Sequence, residues 1–296
     1  MARGRVIRAF RTEDAAAAAG LYPEYEVMSE RRLLHKLATM PPRAQAKAWV
    51  REEAGCVSGF AFAQFEWATR DDDLGYVVAH PADDELFEVA EAYLRERGAG
   101  TLKALAEGLE RRGYRREHVE LVSVLRPTRV DVPPGPRPLR DFVGRESELY
   151  DLSLACSDLP GGNPEDNISY DEWLAEALGD PTLDRDGSFV VEVAGLPAAF
   201  AWLVVDHERH LARNEMTGTR PELRGRGLAL AVKLATVRWA AENGILHIYT
   251  SNHEDNVSML ALNRKLGYRV VAEVVDYERS TREGTTANTP SSMTRT

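Results

Sequence analysis

Five prolines between residues 126 and 138, in Arg-Pro-Thr-Arg-Val-Asp-Val-Pro-Pro-Gly-Pro-Arg-Pro, limit the fold of this chain more than any other stretch. Each proline fixes φ and removes a backbone donor, so the run suits neither a helix interior nor a central strand and reads as extended, semi-rigid chain. It divides the 296 residues into two lengths of ordinary domain size, 1–125 and 139–279, with 126–138 as linker. Residues 280–296 are Ser/Thr-rich with almost no apolar side chains and read as a disordered tail.

The two lengths read as distant copies of one plan. Each opens with a short strand and a helix, at 6–10 and 13–21 in the first and at 137–142 and 146–155 in the second. Each then has a strand pair around an Ala-Gly turn: 48–53 and 57–67 about Ala54-Gly55, and 189–193 and 196–205 about Ala194-Gly195. Each closes with a helix ending in Gly-Tyr-Arg, at 109–115 and 262–269, the glycine placed as a helix stop before a final strand. The first copy is shorter in its middle, where the second carries a glycine loop and an extra strand.

Composition narrows the function. Apolar residues make up 44% and charged residues 28%, as in an ordinary globular protein. No apolar run approaches the roughly 20 residues of a membrane span, and the first ten residues lack the apolar core of a secretory signal. Cys56 and Cys156 stand far apart without metal-ligand spacing, which suits a reducing cytoplasm. A net charge of −10 argues against a partner that binds nucleic acid through its backbone. The same charge either attracts a cationic amine or simply keeps the protein soluble. No metal is expected: His207 and His210 have no third ligand in view, and Asp184-Arg185-Asp186-Gly187 lacks the later acids of a calcium loop.

The second half carries the chemistry. After a strand end at 215–219 come Arg224-Gly225-Arg226-Gly227-Leu228-Ala229 and a helix to about Glu242, with Leu228, Val232, Ala235 and Trp239 along one face. Two glycines let successive backbone N–H groups point outward. The helix dipole and two arginines add positive potential, which together make an anion site suited to phosphates. Gly-Lys-Ser/Thr is absent, which excludes a nucleotide P-loop. Leu230 stands where a dinucleotide fingerprint needs a small residue.

The remaining pattern, Arg-x-x-Gly-x-Ala, resembles motif A of the Gcn5-related N-acetyltransferases (GNAT), which cradles the pyrophosphate of CoA. Residues 244–250 resemble that family's fifth strand, and Asn256, Met259 and Gly267-Tyr268 its following helix, in order over roughly 215–268. The whole chain resembles the tandem two-domain members of the family, mycothiol synthase among them. The resemblance implies an α+β (mixed α/β) fold of two GNAT-like domains, each a twisted, mixed, mostly antiparallel sheet flanked by helices. The first is expected to be degenerate, because Ala82-Asp83-Asp84-Glu85 puts acids where the family has Arg and Gly; a plain helix N-terminus there is compatible.

The resemblance further implies acetyl-CoA as co-substrate and a small-molecule amine as acceptor, in a monomer or homodimer. Thr217, Gly218 and Thr219 would face the pantetheine and thioester. Arg224, Gly225, Arg226, Gly227, Leu228 and Ala229 would hold the pyrophosphate. Asn252 and Asn256 would hydrogen-bond the pantetheine, Asn256 being equally suited to cap a helix. Glu215, two residues from Thr217 along the strand, is the candidate base, directly or through water. Asn263 stands where the family has its tyrosine acid; an amide positions but donates no proton as an acid, so the acid is open, with Tyr249 and Tyr268 conceivable. Asp158, Glu165 and Asp166 are candidates to hold the cationic amine, or else form turns beside Pro and Gly. Two other readings remain at this point: acetylation of protein N-termini, and a CoA-binding sensor without turnover.

Overall fold

The computed structural model describes residues 5–106, 108–158 and 167–282. The first half runs β1 (Val6–Ala9), α1 (Ala15–Ala19), α2 (Glu30–Ala38), β2 (Lys47–Glu53), β3 (Cys56–Phe65), β4 (Leu74–His80), α3 (Asp84–Arg95), β5 (Thr101–Leu105) and β6 (Arg115–Leu125). The second runs β7 (Arg137–Pro138), α4 (Glu146–Ala155), α5 (Tyr170–Trp173), β8 (Phe189–Val193), β9 (Leu196–Asp206), β10 (Leu211–Thr219), α6 (Leu228–Glu242), β11 (His247–His253), α7 (Val257–Leu266) and β12 (Arg269–Ser280). The fold is the mixed, mostly antiparallel tandem arrangement expected; the parallel pairs are β4 with β5 and β10 with β11.

The repeat extends to backbone detail. Ala54 and Gly55 have φ of 52° and 87°, and Ala194 and Gly195 have 53° and 82°. Two consecutive positive φ values suit the twist of a two-residue hairpin. Each hairpin then shifts register by one residue, between Arg51 and Glu52 and between Val191 and Glu192.

Three expected elements differ. Leu139–Phe142 is a 3-10 turn rather than strand, with Leu139 and Phe142 buried beneath it, so β7 keeps two residues. The closing helix of the first half is a single 3-10 turn, Leu109–Arg112, because β6 already begins at Arg115. Strand β12 continues to Ser280, into the stretch read as tail; residues 283–296 lie outside those described.

One sheet runs through both halves, in the order β1-β2-β3-β4-β5-β12-β6-β11-β10-β9-β8-β7. Strand β12, from the second half, sits between β5 and β6 of the first, while β6 pairs β11 of the second. Each half therefore completes the other's hydrogen bonding. The cores are also shared: Ala44 and Trp67 pack with Phe142, Trp173 and Phe200, and Val27 with Val122, Leu211 and Tyr249. Among the described residues, no helix is long and apolar enough to cross a membrane.

Candidate active site

Strand β10 is where the geometry changes. It pairs β11 in parallel only through Leu211, Ala212 and Arg213, after which the two strands part. On its other side a bulge interrupts the ladder with β9 between Asn214 and Met216, which leaves Glu215 as the extra residue. The fork is pinned by side chains, with Thr250 Oγ1 donating to the Asn214 carbonyl (3.1 Å) and Arg213 Nη2 donating to Ser251 Oγ (3.1 Å). Beyond it, Thr217–Thr219 present a backbone edge that β11 does not cover.

The N-terminus of α6 faces this edge. Its cap is Gly227 (φ 79°), no side chain among the described residues caps the helix, and Gly225 also has positive φ (77°). Among the described residues, a Cβ on either glycine would meet nothing within 4 Å, so they leave open space at the N–H groups of the first turn. Together β10, this loop, α6 and α7 bound a cleft of about 340 Å³. Of the expected residues it gathers Thr217, Gly218, Thr219, Arg224, Gly225, Gly227, Leu228, Ala229 and Asn256. Among the described residues, buried Thr219 Oγ1 has no partner there, an orphan polar atom that suits a ligand. Gly218 is required by close approach, since a Cβ would stand 2.6 Å from the Phe200 ring and 2.8 Å from Cys156.

Other expected residues are placed differently. Arg226 is exposed and does not line the cleft. Asn256 caps α7, accepting from the Met259 N–H (3.2 Å), and still lines the cleft. Asn263 is buried outside it, donating through Nδ2 to Asn252 Oδ1 (2.6 Å), while its own Oδ1 has no partner among the described residues. Tyr249 donates to Glu24, and burial pushes its hydroxyl up to about 12. Tyr268 is buried against α6 and does not reach the cleft either. Asp158 forms a two-pronged pair with Arg224 at the cleft mouth (2.5 and 3.1 Å), and that guanidinium holds its carboxyl below the usual range. Glu165 and Asp166 lie outside the described residues.

Glu215 opens onto a second cavity, of about 240 Å³, on the other side of the bulge. Its Oε1 pairs with Arg32 of α2 and its Oε2 accepts from Arg213 Nε (3.0 Å). Both oxygens are engaged, and the bulge removes the simple alternation that would put Glu215 on the face of buried Thr217. Arg32 also donates to Asp180 Oδ2 (3.3 Å) and the Glu26 carbonyl (2.9 Å). The first half thus reaches into the second at the base of the site.

Two features escape single-sequence reading. Lys233, on α6, is buried with Nζ donating to Asn214 Oδ1 (2.6 Å) and 5.1 Å from the Tyr268 ring centroid. Asn214 Oδ1 also accepts from Thr217 Oγ1 (3.0 Å), and Asn214 Nδ2 donates to the Trp202 and Met216 carbonyls. This network fixes the bulge from behind; burial pushes the Lys233 ammonium down to about 7. The ring of His118 on β6 lies tilted against that of His253 on β11 (4.2 Å between centroids) and 3.4 Å from Asp276 of β12. Burial lowers the His118 imidazole and raises the Asp276 and Glu120 carboxyls. An isolated Lys on a helix, or two histidines from different halves, gives no periodic signal.

The first-half counterpart differs at the same point. Asp83 caps α3, accepting from the Leu86 N–H (3.1 Å) and pairing with Arg51, and Glu85 pairs with Arg5 (2.9 Å). That helix N-terminus is capped by its own carboxylate.

Residues 147–268 match the acetyltransferase (GNAT) family. The mycothiol acetyltransferase of Saccharomonospora viridis is 29% identical over 154 residues, 49% of this chain and 50% of that protein. That of Streptomyces bingchenggensis is 24% identical over 159 residues, 52% and 51% of the two chains. The chain therefore spans about half the length of the curated relatives it matches. A tandem GNAT protein from the clavulanic acid biosynthesis pathway shares the fold with a TM-score of 0.67 at 17% identity, over 95% of this chain and 100% of that one. A GCN5-related N-acetyltransferase from Sphaerobacter thermophilus does so with 0.63 at 17%, over 95% and 96%.

Proposed function

We propose that the chain, whose residues 147–268 match the acetyltransferase (GNAT) family and whose fold is shared with a tandem GNAT protein, is a tandem-domain GNAT protein that transfers the acetyl group of acetyl-CoA to the primary amine of a small molecule. The observation that carries this reading is the uncapped N-terminus of α6, behind two left-handed glycines and beside the uncovered edge of β10. Backbone N–H groups with a helix dipole behind them suit a pyrophosphate, and Arg224 adds charge once it turns from Asp158. Bound acetyl-CoA would supply the thioester to be attacked. The edge at Thr217–Thr219 would orient the pantetheine and polarise the carbonyl.

Glu215 is the proposed base. With both oxygens held by guanidiniums it takes the amine proton through a water, or after one pair opens. No tyrosine lines the cleft among the described residues, so the departing thiolate is protonated by solvent. Asn263 then acts by holding Asn252, not by touching sulfur. The two lone thiols, Cys56 exposed and Cys156 buried, suit a cytoplasmic protein.

Thiol release from acetyl-CoA with an amine library, products identified by mass spectrometry, tests the reading. Glu215→Gln is expected to lower kcat/KM most at low pH, where the ammonium is hardest to deprotonate, and to leave acetyl-CoA affinity nearly unchanged. A variant with an unaltered pH–rate profile would move the base elsewhere. Binding of acetyl-CoA with no release for any amine would favour the sensor reading, which the engaged Glu215 and the non-tyrosine Asn263 support.

A further inference from the structure

Consecutive residues of β10 line the second cavity and the cleft: Glu215 and Met216 the one, Thr217–Thr219 the other. An acceptor amine lying in it would stand beside the bulge and next to the thioester edge. Trp173, Trp202 and Ile168 give it apolar walls, and about 240 Å³ limits the occupant to a small molecule.

Its charges are mixed. Arg32 and Lys36 come from α2 of the first half; Glu176, Asp180 and Glu215 come from the second. Arg32 is engaged by Asp180, Glu215 and the Glu26 carbonyl through all three of its nitrogens. Among the described residues, the Lys36 ammonium and the Glu176 carboxylate form no hydrogen bond or ion pair, although both face the cavity. Glu176, Asp180 and Glu26 attract the Lys36 ammonium, but among the described residues none closes a hydrogen bond or ion pair on it. Ammonium donors left open in a concave site suit a ligand that accepts from them.

Resting on the acyl-transfer reading above, we infer that the acceptor is a small zwitterion, an amine that also carries a carboxylate, held by Lys36 at its acidic end and by Glu176 at its ammonium end. Two cations against three carboxylates leave the lining slightly negative. A doubly charged phosphate fits that balance poorly, whereas a neutral amino acid does not disturb it. Placing Lys36 on α2 makes the first half a contributor to acceptor choice. The helical stretch that carries Glu176, Leu174–Leu178, has the wide π geometry that recurs at functional sites.

The test is thiol release from acetyl-CoA with each proteinogenic L-amino acid, its carboxamide and its decarboxylated amine. At least one amino acid is expected to exceed its carboxamide and its decarboxylated amine in kcat/KM by about tenfold or more, as for one charged hydrogen bond. Lys36→Met should bring that ratio near one, chiefly through KM, and Lys36→Arg should keep most of it; a ratio within one protein is insensitive to partial misfolding. Carboxamides or simple amines accepted as well as the acids, or a ratio indifferent to Lys36→Met, would overturn the inference and leave acyl transfer standing. Acetyl-CoA bound but no amino acid turned over would overturn it too. A chain that does not bind acetyl-CoA would sink the acyl-transfer reading itself, and this inference with it.

Discussion

Lys233 shows how a single side chain can couple packing to the site. It lies under the bulge with its ammonium on Asn214, the residue that also holds Thr217 and the Met216 carbonyl. Its value falls from 10.5 unfolded to about 7 folded. The unfolded chain therefore binds the extra proton between those values, and stability rises with pH through that window. Lys233→Met should melt above the parent protein at pH 6, with the gap narrowing towards pH 10; thermal melts at several pH values decide it, and a widening gap would contradict the assignment. Asp158 is a second case. Its pair with Arg224 is largely exposed and worth at most about 1 kcal/mol, yet it occupies the guanidinium nearest the anion site. Asp158→Asn should tighten acetyl-CoA binding by about two- to fivefold, measured as Kd. Neither interaction was legible in the sequence: Lys233 breaks no helical pattern, and Asp158 is distant along the chain from Arg224.

At the scale of elements the reading went further, because glycines and periodicity act locally. The loop and α6, the hairpins at Ala54-Gly55 and Ala194-Gly195, and helix α4 lie where spacing put them. Leu139–Phe142 misled because buried apolar residues before a helix read equally as strand or as 3-10 turn. The bulge at Glu215 was hidden as well, since bulges depend on pairing with β9 rather than on composition. The loop carries its own prediction. Gly227 has φ 79°, which a β-branched residue adopts only with strain, and a side chain there would enter the space beside the α6 N–H groups. Gly227→Val should weaken acetyl-CoA binding by more than about tenfold while the fold survives, as circular dichroism and calorimetry would report. Normal binding by a folded Gly227→Val protein would end the assignment of this loop.

For the whole molecule, the least legible feature is the exchange of β6 and β12. Pairing across halves leaves no mark on either strand, so two copies of one plan read as two separate units. In the sheet, Arg269–Ser280 is hydrogen-bonded to both β5 and β6, and Arg279 reaches Glu91 of α3 (2.8 Å). The halves should therefore unfold together. A single transition, coincident by tryptophan fluorescence and far-ultraviolet circular dichroism, is expected; two resolved transitions would mean that the exchange contributes little. The first half meanwhile gives the site Arg32 and Lys36, while its own helix N-terminus at Asp83–Glu85 is closed by carboxylates. The central claim is that one half binds the co-substrate and the other shapes the site around it. Calorimetric titration of the full chain with acetyl-CoA tests this directly. One site per chain is the predicted stoichiometry; two equivalent sites, or none, would contradict it.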